Sequence, residues 1–332
     1  MSTATAPAQH AAPVHEPPTA VRVTGIVVVL TVVIVVFAIA FALPASRAKP
    51  VDVPIGIAGP QAATGQVAER LDQQAPGAFA VTYYPGEQAL RDAILNRNVY
   101  GGVAFGPDGP ALLTATGASP AVAQLLTQIG SGISAQSGIP LRTEDLVPPT
   151  SGDPRGTGLA ASALPITLAG LLPAIALVLA LKREVWTRLS AMIAFSAVAG
   201  LTIAALLRYV FGSIDQNFWG VSAGLMLGIA AAGLAILGLG SLFGRVGLGL
   251  GALLAVLVGN PLSGLAAAPE MLPGGTLGQL LPQGANATLL RSAAYFGGAG
   301  AMTAIIVLCC WAALGAVMVV IAALRQTRSN RA

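Results

Sequence analysis

Charge is what this 332-residue sequence has least of: Asp, Glu, Lys and Arg make up 9% of it, against 55% hydrophobic residues. Soluble domains carry about 25% charged residues, so the chain as a whole is not a water-soluble globule. Catalytic signatures are missing too. There is no G-x-x-x-x-G-K-[ST] loop to cradle nucleotide phosphates and no H-E-x-x-H to hold zinc. The nearest approach to a nucleophile elbow, Gly117-Ala118-Ser119-Pro120-Ala121, lacks its closing glycine. Ser119-Pro120 reads instead as a helix start, with serine as cap and proline in first position. These absences predict a chain that is not an enzyme and needs no cofactor. Its two cysteines, Cys309 and Cys310, are adjacent in an apolar stretch. They offer neither a disulfide framework nor a metal site and are expected to pack between helices. His10 and His15 fall in a stretch rich in Ala and Pro and are read as solvated. The net charge is +4, yet the basic residues form no dense run that would track phosphates, so no nucleic-acid partner is expected.

What is abundant is apolar sequence. Residues 1–21 have no periodicity and are expected to be a disordered cytoplasmic tail. Residues 22–43 then form the first transmembrane helix. Its uncharged run Val23–Leu43 spans roughly 30 Å at about 1.5 Å per residue, enough to cross a bilayer. A signal-peptide core is shorter, about 7–15 residues, so an uncleaved anchor is expected, although the small residues around Ala45–Ala48 leave cleavage open.

From residue 44 to 157 the pattern changes. Val51, Val53, Ile55 and Ile57 alternate as in a strand with one buried face, and Val67 and Leu71 share a helix face. Phe79, Val81 and Tyr83 alternate again before a helix carrying Leu90 and Ile94. Two strands, near Tyr100–Phe105 and Ala111–Thr116, flank the turn Gly106-Pro107-Asp108-Gly109. Val122, Leu125, Leu126, Ile129 and Ile133 recur at helical spacing. The expected order is β-α-β-α-β-β-α, an extracytoplasmic α/β domain, with Val147 to Gly158 as the linker back to the membrane.

Residues 158–325 read as five further spans, near Leu159–Leu181, Leu189–Leu207, Val221–Phe243, Val246–Leu265 and Ala301–Leu324, and residues 326–332 as a short tail. The fold class is therefore a polytopic α-helical membrane protein of six transmembrane helices with an inserted α/β domain. Residues 266–300 are too rich in Pro and Gly to span. Leu277, Leu280, Leu281, Leu289 and Leu290 suggest short helices at the outer interface. With a cytoplasmic N-terminus, the inner segments hold Arg22, Lys182, Arg183, Arg188, Arg245, Arg325, Arg328 and Arg331 against only Glu16 and Glu184. This bias places both termini inside the cell membrane and residues 44–157 outside. Trp219, Tyr209 and Tyr295 then fall at the outer interface and Trp186 at the inner one.

After Gly158 the only acids are Glu184, Asp215 and Glu270, all in loops, and Arg208 and Arg291 are expected to snorkel from helix ends. A proton relay needs ionisable groups in mid-membrane, so proton-driven export and a charge-lined channel are disfavoured. Gly224/Gly228, Gly240/Gly244 and Gly247/Gly251 are G-x-x-x-G pairs that let backbones approach, within one chain or across a homodimer seam.

One helix, an outer domain and five more helices resembles the ABC-2 type permease family, in its branch similar to the phage-infection protein. The outer domain carries Val51-Asp52-Val53-Pro54-Ile55-Gly56-Ile57, Glu87-Gln88-Ala89-Leu90 and Val99-Tyr100-Gly101-Gly102-Val103-Ala104-Phe105. The segment after the fifth span resembles the family's outer hairpin: Asn260-Pro261-Leu262-Ser263-Gly264, Pro269-Glu270-Met271-Leu272-Pro273, Leu281-Pro282, Leu290-Arg291 and Tyr295-Phe296. The resemblance implies export of a hydrophobic or amphiphilic compound, powered by a separate ATP-binding subunit at the cytoplasmic face. Arg183, Glu184, Trp186 and Arg188 are the candidate ATPase contact, or else solvated anchors. Pro261, Gly264, Pro269, Glu270, Pro273, Pro282 and Arg291 mark the outer hairpin. The chain departs from the family in its Pro-rich N-terminal tail and short inner loop. The alternative is a non-transporting envelope scaffold or surface receptor acting through the outer domain.

Overall fold

The computed structural model describes residues 18–107, 109–137 and 140–329. The tail expected at 1–21 falls outside these as far as residue 17, with His10, His15 and Glu16, as do Asp108 and residues 330–332 with Arg331. Five helices are long and apolar enough to cross a membrane: Thr19–Ser46, Gly158–Ala180, Val185–Val210, Phe218–Gly259 and Met302–Arg328.

Helix α1 (Thr19–Ser46) starts three residues earlier than expected and has no buried residue. Its Val, Ile and Leu side chains are apolar on every side, as suits a helix solvated by lipid rather than by protein. It leads into a five-stranded sheet, ordered β2-β1-β3-β4-β5. The strands are β1 (Val53–Ala58), β2 (Phe79–Tyr84), β3 (Gly101–Gly106), β4 (Gly109–Thr114) and β5 (Arg142–Asp145). Helices α2 (Gln61–Gln74), α3 (Glu87–Leu95) and α4 (Pro120–Ser137) cover the sheet. All pairings are parallel except that of β3 with β4.

Two features of this domain differ from the sequence reading. Strand β1 is buried on both faces, not one, because it lies between β2 and β3 with a helical layer on each side. Val53, Ile55 and Ile57 pack with Val67, Leu71, Val122 and Leu126, whereas Ala58 joins Leu90 and Ile94. Strand β5 was not anticipated. Its sequence, Arg-Thr-Glu-Asp, has no apolar alternation, because an edge strand can lie half in water. Part of what holds it is ionic: Arg91 of α3 bridges Glu87 and Glu144, and that contact holds the Glu144 carboxyl below its usual range. Ser119 caps α4 as expected, accepting from the Val122 amide at 3.4 Å.

The bundle is formed by α5 (Gly158–Ala161) continuing as α6 (Ala163–Ala180), α7 (Val185–Ala205), α8 (Phe218–Leu253) and α11 (Met302–Ser329). α7 and α8 end in single π-helical stretches, Leu206–Val210 and Leu254–Gly259. At 42 residues, Phe218–Gly259 is about twice the length a bilayer needs, and it breaks at Gly244, where φ is 60° and ψ −136°. L-residues avoid that conformation, so glycine makes the reversal. The two halves then pack on each other: Gly240 lies against Leu248, and Gly251 against Ile236. Gly224 and Gly228 meet Leu289 and Asn286 of the same chain. Gly224, Gly228, Gly240, Gly247 and Gly251 thus make close contacts within one chain. Cys309 and Cys310 are exposed on α11, not packed between helices.

The segment expected as an interfacial hairpin has a partly exposed first part, with Leu277 and Leu280 at the surface, and an interior second part. A 3-10 turn (Pro269–Met271) and a short helix α9 (Gly275–Gly278) lead to α10 (Pro282–Tyr295), most of whose residues are buried. α10 runs antiparallel to the first half of α8: Asn217 donates to the Ala293 carbonyl at 2.8 Å, and its N-terminal Pro282 and Gln283 reach Ala232. Ala232 lies near the middle of the 218–243 half, so α10 enters the bundle from the end that carries the domain. Its place in a stretch rich in Pro and Gly, and its Gln, Asn, Thr, Arg and Ser, hid it in the sequence.

Candidate functional site

The domain is tied to the bundle at several points. Lys49 and Val51, just before β1, donate their amides to Met271 and Glu270 at 3.0 and 3.1 Å. On the opposite side, Asp153 accepts from Ser213 Oγ at 2.9 Å and from the Gly158 amide at 2.7 Å. Burial alone would raise the Asp153 carboxyl, but these bonds and those from Thr157 outweigh it and hold it below its ordinary value. Tyr295, expected at the outer lipid interface, instead sits between Gly117 and the Ser213 carbonyl, joining domain to bundle.

Between these ties lies a cleft of about 310 Å³. The domain contributes Pro54 and the loop Arg97–Tyr100 between α3 and β3. The bundle contributes Glu270, Thr276 and Gln279, the α10 residues Ala285 and Thr288, and Thr303 and Ala304 at the start of α11. This is the size of a small-ligand site, with apolar walls and a few convergent polar groups.

Arg97 dominates the cleft. It adopts φ +61°, an uncommon left-handed conformation for a long side chain. Its Nη1 donates to Ser292 Oγ and, at 3.1 Å, to the Thr288 carbonyl. Its guanidinium lies 5.3 Å from the centre of the Phe296 ring, within cation–π range. Burial lowers its pKa from the ordinary guanidinium value, opposed by Tyr100 and Glu270, and it stays a cation. From the same loop Tyr100 donates to Glu270 Oε2 at 2.9 Å. Burial, then the Glu270 charge, push the Tyr100 hydroxyl above its ordinary range. Among the described residues neither Arg97 nor Glu270 belongs to a salt bridge, although each lies in the other's field.

The outer-hairpin residues divide. Pro269 and Glu270 line the cleft, and Pro282 starts α10. Arg291 does not snorkel: it is buried and donates to the Gly264 and Leu265 carbonyls, locking α10 to the chain that precedes it. Pro261 follows the second π-helical stretch, and Pro273 is exposed. At the far end of the bundle Arg183, Glu184 and Trp186 are exposed. Arg188 is 4% exposed, and its guanidinium donates to the Leu181 carbonyl and to Ser241 Oγ at 3.4 Å. It therefore closes the turn between α6 and α7 and presents no free charge to a partner.

Deeper in the bundle, Thr167, Asn260, Ser263, Gln283 and Asn286 surround a space of about 10 Å³, the room of a single water. Asn286 Oδ1 is the one buried side-chain polar atom without a hydrogen-bond partner among the described residues. Sequence reasoning missed Arg97, Tyr100, Gln279 and Thr288. The one available signal was a lone arginine, flanked by Asn96 and Asn98, between a helix and a strand. No group of His, Cys, Asp and Glu that could hold a metal ion occurs among the described residues. Comparison with known proteins returns no matching family model, no curated relative and no solved structure of similar fold.

Proposed function

We propose that this chain is the membrane subunit of an exporter for an amphiphilic compound, working with a separate ATP-binding subunit. In this reading the membrane-spanning part makes six crossings, with Gly244 turning the fourth into the fifth. The α/β domain lies outside the cell membrane and both termini inside, as the basic residues at the far end of the bundle favour. The observation that carries the reading is the cleft: a charged, partly enclosed site where a folded domain, the segment leading into α10 and the start of the last span meet at one end of the bundle. Such a place suits cargo with a polar head and an apolar body leaving the bilayer. The chain has no phosphate-binding loop of its own, so the energy must come from elsewhere. Arg183, Glu184 and Trp186 offer an exposed surface for that subunit, whereas Arg188 acts by holding the turn beneath them.

The test is affinity purification from the native membrane in mild detergent, with cross-linking and mass spectrometry. A stoichiometric subunit bearing a Walker A loop supports the exporter. A sample free of any ATPase after cross-linking overturns it in favour of an envelope scaffold acting through the α/β domain.

A further inference from the structure

Resting on the export reading, we propose that the junction cleft binds the zwitterionic headgroup of its amphiphile, with Arg97 facing the anionic group and Glu270 facing a primary ammonium. Arg97 and Glu270 are opposite charges lining one 310 Å³ cleft, close enough to feel each other but, among the described residues, not joined in a salt bridge. Two half-desolvated charges held apart in one cavity are complementary to a ligand that carries both signs, and mismatched to one that carries a single sign.

Each charge is fixed from behind. Thr288, Ser292 and Phe296 hold Arg97, and Tyr100 holds Glu270, so little rotamer freedom is lost when a headgroup enters. Guanidinium matches phosphate or carboxylate geometry in two-pronged hydrogen bonds. The ammonium end is a primary amine and not a quaternary one, because quaternary groups are held by aromatic cages and only Tyr100 among the cleft residues is aromatic. The remaining polar walls, Asn98, Thr276, Gln279 and Thr303, are neutral and add no net charge. Ala285 and Ala304, both buried where α10 packs on α11, give the cleft an apolar floor, while the acyl part lies outside it.

The experiment is equilibrium binding to the full-length protein in an uncharged maltoside detergent, read by native mass spectrometry. The probes are dihexanoyl lipids with phosphoethanolamine, phosphocholine and phosphoglycerol heads. The expected order is phosphoethanolamine tightest, with phosphoglycerol at least tenfold weaker and phosphocholine between. Arg97→Gln should weaken phosphoethanolamine binding tenfold or more. Glu270→Gln, a near-isosteric change that keeps the Tyr100 hydrogen bond, should bring phosphoethanolamine and phosphoglycerol within about twofold. The proposal is overturned if wild-type protein binds phosphoglycerol as tightly as phosphoethanolamine, or if Glu270→Gln leaves their ratio unchanged. The titration requires no ATPase, so its failure leaves the export reading standing, and a missing ATPase leaves the binding result interpretable.

Discussion

At the scale of single residues, the bundle is assembled where side chains are missing and the joints where they are charged. Gly228 lets α10 approach α8: a Cβ there would lie 2.2 Å from Asn286 Oδ1. The buried Asn286 side chain must turn or shift to make room, so Gly228→Ala should destabilise the protein by about 1–3 kcal/mol. Thermal unfolding in detergent would show a lowered midpoint, and an unchanged midpoint would mean that α10 is not packed as described. Asp153 gives a pH dependence. Its folded pKa lies below the ordinary aspartate value of 3.8, so its contribution is present above that pH and is lost as pH falls through the folded value. For the Asp153–Gly158 link, the protection of the Gly158 amide against hydrogen exchange, measured relative to the intrinsic rate at each pH, should therefore fall below about pH 3.8. Asp153→Asn should abolish that acid-side step while leaving the link already looser at neutral pH.

At the scale of elements, the long apolar runs were legible because a bilayer demands about 20 apolar residues whatever else the fold does. The domain's helices and first four strands were legible from their periodicity. What escaped was held by partners instead of pattern. β5 is an edge strand tied by Arg91 and Glu144, and α10 is an interior helix whose polar residues find partners only once the bundle exists. Arg291 misled for the same reason: a buried arginine satisfied by two backbone carbonyls looks, in sequence, like one that reaches for water. The reversal at Gly244 was readable only as a short polar break. Its positive φ makes it sensitive to substitution, and Gly244→Ala should cost about 1–3 kcal/mol through strain alone, since no atom lies within 4 Å of the added Cβ. The same substitution at Gly249, which is also uncrowded but helical, should be neutral or slightly stabilising. Equal effects at the two positions in a thermal-unfolding assay would contradict the hairpin.

At the scale of the whole molecule, the candidate site could not be read from sequence because its parts come from distant segments: Arg97 and Tyr100 from the domain, Glu270 from the re-entering chain, Thr303 from the last helix. Each is ordinary alone, and the fold brings them to one cleft. The proposed function puts the working part of the protein at the domain–bundle junction rather than at the domain surface or the far loops. Thr303 tests that placement directly, because it is exposed on the cleft wall and outside the packed core, so Thr303→Trp should fill the cleft without disturbing the bundle. The decisive measurement is comparative lipidomics of the outer envelope fraction from cells carrying the intact gene, a deletion, or Thr303→Trp. The account predicts that the deletion and Thr303→Trp, inserted at the normal level, deplete the same amphiphile from that fraction. An unchanged envelope composition with Thr303→Trp, where the deletion does deplete it, would contradict a role for the cleft.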